Sequence, residues 1–133
     1  MENRTRPASS TSCVIFLSKA EDFADAMRLA LQHENWNSAA ILAVHCTISS
    51  CDAVTSFYLG KRSASQNHAD VLKLIGEIRP LPNVKEKKAQ IAEVLGIKSK
   101  AEYSDELIPE KTARDAVKRT ERIFAWAKGI VFH

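Results

Sequence analysis

The 133-residue chain reads as one all-α domain, an up-down bundle of four main helices plus a short one. Three observations predict this. Apolar residues recur at spacings of three and four along every long segment, and no alternating strand pattern competes. There are only four Gly and four Pro, so turns are few and helices long. Apolar residues make up 45% and charged residues 26%, the balance of an ordinary globular domain, at a length that buries a core without staples.

Residues 1–12 are polar, with Arg4, Arg6, Pro7 and a Ser/Thr cluster, and are expected to form a disordered N-terminal arm. The bundle then occupies 13–133. Phe16, Ala20, Phe23, Met27 and Ala30 mark a first helix over 13–33, with Ser12 as its N-cap. Asn35 or Asn37 caps a second helix that runs to about Leu59, where Gly60 stops it. This helix is apolar around most of its girth, as a central buried helix must be. One stripe of it is polar: His45, Ser49, Asp52 and Ser56 share a face. A third helix starts at Asn67 or His68, carries Val71, Leu72, Leu74, Ile75 and Ile78, and ends at Arg79-Pro80-Leu81-Pro82. The short helix spans about Val84 to Leu95, with Gly96 as its stop. Residues 97–109 read as a linker. A last helix, about Glu110 to Gly129, buries Ala113, Ala116, Val117, Thr120, Phe124 and Ala127.

Composition narrows the function classes. The net charge of +3 permits nucleic-acid contact without demanding it. Cys13, Cys46 and Cys51 are an odd set that reads as reduced thiols in a cytoplasmic protein, packed as small hydrophobes. Cys46 and Cys51 point to different faces of one helix, and His45 with Asp52 supplies too few ligands, so no metal and no cofactor is expected. No apolar run is read as long and charge-free enough to span a bilayer, so no membrane partner is expected.

The segment from Lys61 to His68 stands out. It places Arg62 and His68 on a short polar turn between two buried helices, where folding needs neither. A guanidinium there would hold a phosphate, and an imidazole, whose ordinary pKa is about 6.5, would move a proton. Together these are the parts of metal-free RNA cleavage. Ser63 and Asn67 would orient the phosphate, and Asp52 would orient or charge-tune the Arg62 or His68 group. The same residues also have a structural reading. Arg62 would be a solvated turn residue favoured by the dipole of the preceding helix, Asn67 a helix cap, and the stripe from His45 to Ser56 a hydrogen-bonded seam. On the last helix, Lys111, Arg114, Lys118 and Arg122 line one side and, with Lys85, Lys87 and Lys88, would track phosphates. With Glu110, Asp115 and Glu121 interleaved, such a row is more often a solvated face. Trp36 and Trp126 would stack bases or pack the core.

The run Asn37-Ser38-Ala39-Ala40-Ile41 to His45, then Asp52-Ala53-Val54, Tyr58-Leu59-Gly60-Lys61-Arg62 and His68-Ala69-Asp70 resembles the HEPN domain. The likeness extends over Lys98 to Tyr103 and to Ala113, Ala116, Arg122 and Phe124. Many members of that family carry an Arg, four to six residues, then a His, and Arg62 and His68 fit with five between them. The resemblance implies a four-to-five-helix bundle and a metal-independent endoribonuclease, usually a homodimer whose two motifs meet in an interface cleft. It also implies RNA or nucleotide as ligand and, in some members, a toxin neutralised by a minimal nucleotidyltransferase partner. Active members often place Asn, Asp or His directly after the motif Arg, where this chain has Ser63. Two other roles therefore stand beside the nuclease: a non-catalytic HEPN module that binds nucleotide or RNA or docks to a nucleotidyltransferase, and a pure assembly domain.

Overall fold

The apolar spacings become helices in a computed structural model that describes residues 5–9, 11–64, 67–78 and 83–132. In chain order the elements are β1 (Thr5–Pro7), α1 (Ser12–Gln32), α2 (Trp36–Leu59), β2 (Lys61–Ser63), α3 (His68–Gly76), α4 (Val84–Leu95), α5 (Lys98–Tyr103) and α6 (Glu110–Phe132). The chain is a mostly helical bundle, as its periodicity requires.

Helix α2 is the centre. Every residue from Cys46 to Ser56 is buried, so neighbours must cover all its sides. Small residues at Ala39, Ala40, Ala43, Cys46, Ser50 and Ala53 let those neighbours approach closely. Helix α1 runs antiparallel to α2: Phe23 stacks on His45 with ring centroids 5.4 Å apart, and the Cys46 thiol donates to the Ala20 carbonyl at 3.3 Å. Helix α6 lies along α2 in the same direction. Its Arg114 meets Trp36 at the start of α2, and the hydroxyls of Thr120 and Thr47 share a buried hydrogen bond of 3.1 Å further along. Arg28 clamps α1 to α6 through both oxygens of Glu121, each at 2.6 Å. This pair is partly exposed, so it contributes about 0–1 kcal/mol. Glu93 and Arg119 join α4 to α6 at 2.7 Å.

The helix ends are set by local chemistry. Gly60 takes φ +66°, the left-handed conformation that ends a helix, and its N–H donates to the Ser56 carbonyl at 3.1 Å. The Asn67 side chain accepts from the N–H groups of Ala69 (2.9 Å) and Asp70 (3.3 Å) and so caps α3. At α1 the capping position is Thr11, and Ser12 is already helical.

Several expectations are corrected. Thr5–Pro7, expected to be part of a disordered arm, form a strand antiparallel to Lys61–Ser63, in the register Thr5 to Ser63, Arg6 to Arg62 and Pro7 to Lys61. Ala8 N–H extends the ladder to the Gly60 carbonyl at 2.9 Å. A three-residue ribbon is held by backbone groups and is too short to leave an alternating pattern. Helix α3 has 9 residues and α4 has 12, so the helix expected to be short is the longer of the two. The expected linker contains α5, and α6 continues three residues past Gly129. The Arg79-to-Pro82 stop lies outside the described residues. Helix α2 is, by length and composition, able to cross a membrane, contrary to the expectation, but 78% of its most apolar window is buried inside the protein.

Two substitutions probe this frame. Gly60→Ala must hold an L-residue at positive φ and should lower the unfolding free energy by about 1 kcal/mol. Met27→Ala empties a fully buried site and should cost about 2–5 kcal/mol. Urea unfolding monitored by circular dichroism reads both, and a Met27→Ala cost below that of Gly60→Ala would contradict the packing of α1 on α2.

Candidate functional site

The left-handed Gly60 turns the chain out of α2 and into β2, where alternate side chains face opposite ways. Lys61 faces α3 and pairs with Glu77 at 3.5 Å. Ser63 is buried, and among the described residues its hydroxyl has no hydrogen-bond partner. Arg62, between them, turns toward α1. Its guanidinium lies 5.4 Å from the centre of the Phe16 ring, an interaction of about 0.5–2 kcal/mol that orients the charge without neutralising it. Its Nη1 also donates to the Ser63 carbonyl at 3.4 Å. Lys19, one helical turn after Phe16, brings its ammonium to 5.9 Å from the same ring.

These groups border a recess of about 310 Å³, whose lining includes Asp52 and Arg62 as well as Phe16, Lys19, His45 and Ser49. The polar stripe of α2 thus faces a cavity from His45 to Asp52, while Ser56 is buried beyond it. His45 is already engaged, stacked on Phe23 and 3.6 Å from Glu102. Asp52 is only 6% exposed. Burial pushes its carboxyl up to about 7, against the smaller opposing pull of Arg62 and then Lys19. Among the described residues no ion pair within 4.0 Å joins Asp52 to either cation, so the three charges border the recess without closing it. Such an arrangement can hold an anion on its cations and exchange a proton near neutral pH at its carboxyl.

Asn67 spends its carbonyl on capping α3, and His68 is the first residue of that helix; the His68 side chain lies outside the described residues. The basic row on α6 stands elsewhere. Lys111 pairs with Asp115 and Arg114 with Glu110, each at 2.8 Å, and the Arg114 guanidinium covers the Trp36 ring at 5.1 Å. Trp36 begins α2 and Arg62 follows its end, so this part of the row sits about 35 Å of helix away from Arg62. Lys118 and Arg122 are exposed on the same helix. Both tryptophans are partly buried and pack against apolar clusters. All three cysteines are buried and none is in a disulfide, and burial pushes the Cys46 thiol up to about 12. Sequence reasoning missed Lys19, the Phe16 ring as a seat for cations, and Arg6 beside Arg62. The only trace of the first two is that Phe16, Lys19 and Phe23 share one face of α1.

The burial of Asp52 has a measurable consequence. An aspartate in the unfolded chain titrates near 3.9. Between about pH 4 and pH 7 the folded protein therefore keeps a proton that the unfolded chain has released, and stability falls as pH rises through that window. Below pH 4 the residue contributes nothing. Above about 7 it costs its full penalty, at most on the order of 4 kcal/mol. Asp52→Asn should match the wild type in urea unfolding near pH 4 and exceed it at pH 8. A difference between the two that does not change with pH would contradict this account.

Comparison with known proteins bears on the whole chain. No curated protein matches it. The family model of the HEPN domain matches residues 14–130, from the third residue of α1 through nearly all of α6. That span includes both residues of the Arg62–His68 pair and almost the whole of the bundle, and it begins after β1. By this match, the chain belongs to the HEPN domain family.

Proposed function

We propose that this HEPN protein is a metal-independent endoribonuclease that cuts RNA with Arg62 and His68. The observation that carries the reading is the setting of Arg62, held against Phe16 at the edge of a recess that also contains a carboxyl titrating near neutrality. In this reading Arg62 binds the scissile phosphate and stabilises the charge that develops on its oxygens. The RNA 2′-hydroxyl attacks phosphorus while one group takes its proton, and His68 serves in proton transfer, as acceptor or as donor to the leaving 5′-oxygen. The products are a 2′,3′-cyclic phosphate and a 5′-hydroxyl, and DNA is not cut. Two subunits would place their motifs in one cleft. Exposed Val14, Ile15, Phe57 and Tyr58 stand at the same end of the α1–α2 pair as Arg62, which supports a homodimer there. The up-down arrangement of the main helices, a cytoplasmic location and a toxin role checked by a nucleotidyltransferase partner belong to the same proposal.

One observation favours a second reading, a HEPN module that binds nucleotide or RNA, or docks to a nucleotidyltransferase, without cutting. Ser63 directly after the Arg is buried, so its hydroxyl does not stand at the surface beside Arg62. Incubation of a single-stranded RNA with EDTA present separates the two. The nuclease cleaves it, and His68→Ala and Arg62→Ala each lower the rate by about 10²–10⁴. No cleavage by the wild type, with RNA or nucleotide binding intact, establishes the second reading. Equal cleavage by all three proteins places the activity elsewhere.

A further inference from the structure

The pairing of β1 with β2 puts Arg6 directly opposite Arg62. Opposed residues of an antiparallel ladder have Cα atoms about 4.5–5.5 Å apart and project to the same face. Two like charges placed so repel each other. Lys19 adds a third cation over the ring that Arg62 already covers. Among the described residues none of the three has a carboxylate within 4.0 Å, whereas neighbouring Lys61 is matched by Glu77 and Arg28 by Glu121. The acid that lines the recess, Asp52, is discharged in part at neutral pH by its own burial. A folded chain brings three unmatched cations together at a cost, and the cost is offset when an anion arrives. Arg6 lies in the segment that precedes the family match.

We propose that Arg6 and Lys19 form, with Arg62, a phosphate clamp for the backbone of single-stranded RNA. Arg62 takes one phosphate, and Arg6 and Lys19 take its flanks along the β1–β2 ribbon and the first turns of α1. Arg6 and Lys19 are both exposed, so they are positioned to bind without unfolding anything. The inference rests on the nuclease reading for its choice of RNA, but it concerns binding and is tested without cleavage.

The probe is a fluorescein-labelled, fully 2′-O-methylated single-stranded oligonucleotide, which lacks the attacking hydroxyl. Anisotropy gives its affinity over a range of KCl concentrations for the wild type, Arg6→Ala, Lys19→Ala, the double variant and Lys118→Ala. For a single strand, each phosphate that the protein no longer neutralises lowers the magnitude of the slope of log affinity against log salt by about 0.7. Arg6→Ala and Lys19→Ala should each show that decrease, and the double variant about twice it. Arg6→Lys and Lys19→Arg should keep the wild-type slope, which separates loss of charge from loss of fold. Unchanged slopes in both alanine variants overturn the clamp, as does a slope that falls only in Lys118→Ala, which would move binding to α6. Failure of the wild type to bind the probe also overturns it. A protein that cleaves RNA with unchanged slopes loses the clamp and keeps the nuclease reading. One that shows the predicted slopes but never cleaves loses the nuclease reading and keeps the clamp.

Discussion

The enclosure of α2 is the constraint on which the rest of the structure depends. Eleven consecutive buried residues, Cys46 to Ser56, leave that helix no solvent face, so α1, α6 and the α3–α4 pair must all be placed around it. Burial on this scale is favourable for its alanines, valines and isoleucine. It is unfavourable for each polar atom it encloses unless a partner is found. Thr47 and Thr120 find each other across the α2–α6 seam, and the Cys46 thiol finds a carbonyl on α1. Asp52 is the exception. It is enclosed without an ion-pair partner among the described residues, and it meets that cost by holding its proton up to about pH 7. The chemical character of the recess is therefore a consequence of the packing of the helix that carries it.

The second determining feature is the exit from α2. A left-handed Gly60 reverses the chain so that Lys61, Arg62 and Ser63 run as a strand with alternating directions. That alternation sorts three adjacent polar residues into three fates: Lys61 to an ion pair, Arg62 to an aromatic ring and Ser63 to the interior. A helix continued through these residues would have spread them around its circumference and brought none of them to Phe16. The strand exists because β1 supplies the other side of its ladder. The N-terminal segment thereby does two things at once, pinning the loop that carries Arg62 and delivering Arg6 to it.

Much of this was legible from residues alone. The extent of α1 and α2, the Gly60 stop and the Asn67 cap follow from apolar period and capping chemistry, both of which act over a few residues. The polar stripe of α2 was visible as a shared face, and Arg62 stood out because a turn between buried helices has no packing use for it. The relative lengths of α3 and α4 differ from the reading because apolar spacing continues to Ile78, past Gly76, where α3 ends. The ribbon escaped notice because its partners are 56 residues apart at the Arg6–Arg62 pair and their bonds are made by backbone, which carries no side-chain signature.

What the sequence determined by itself is the class of the fold, the buried status of α2 and the presence of a cation, Arg62, just past its end. Each is written in local pattern, and local pattern is dictated by the geometry of a single helix. What only the tertiary structure decided is company. Arg62 shares Phe16 with Lys19, faces Arg6 and borders Asp52, while the basic row of α6 stands at a distance from all of them. Those juxtapositions come from which helices pack side by side and which backbone groups close a ladder. Both are set by long-range contacts, and spacing along the chain does not encode them.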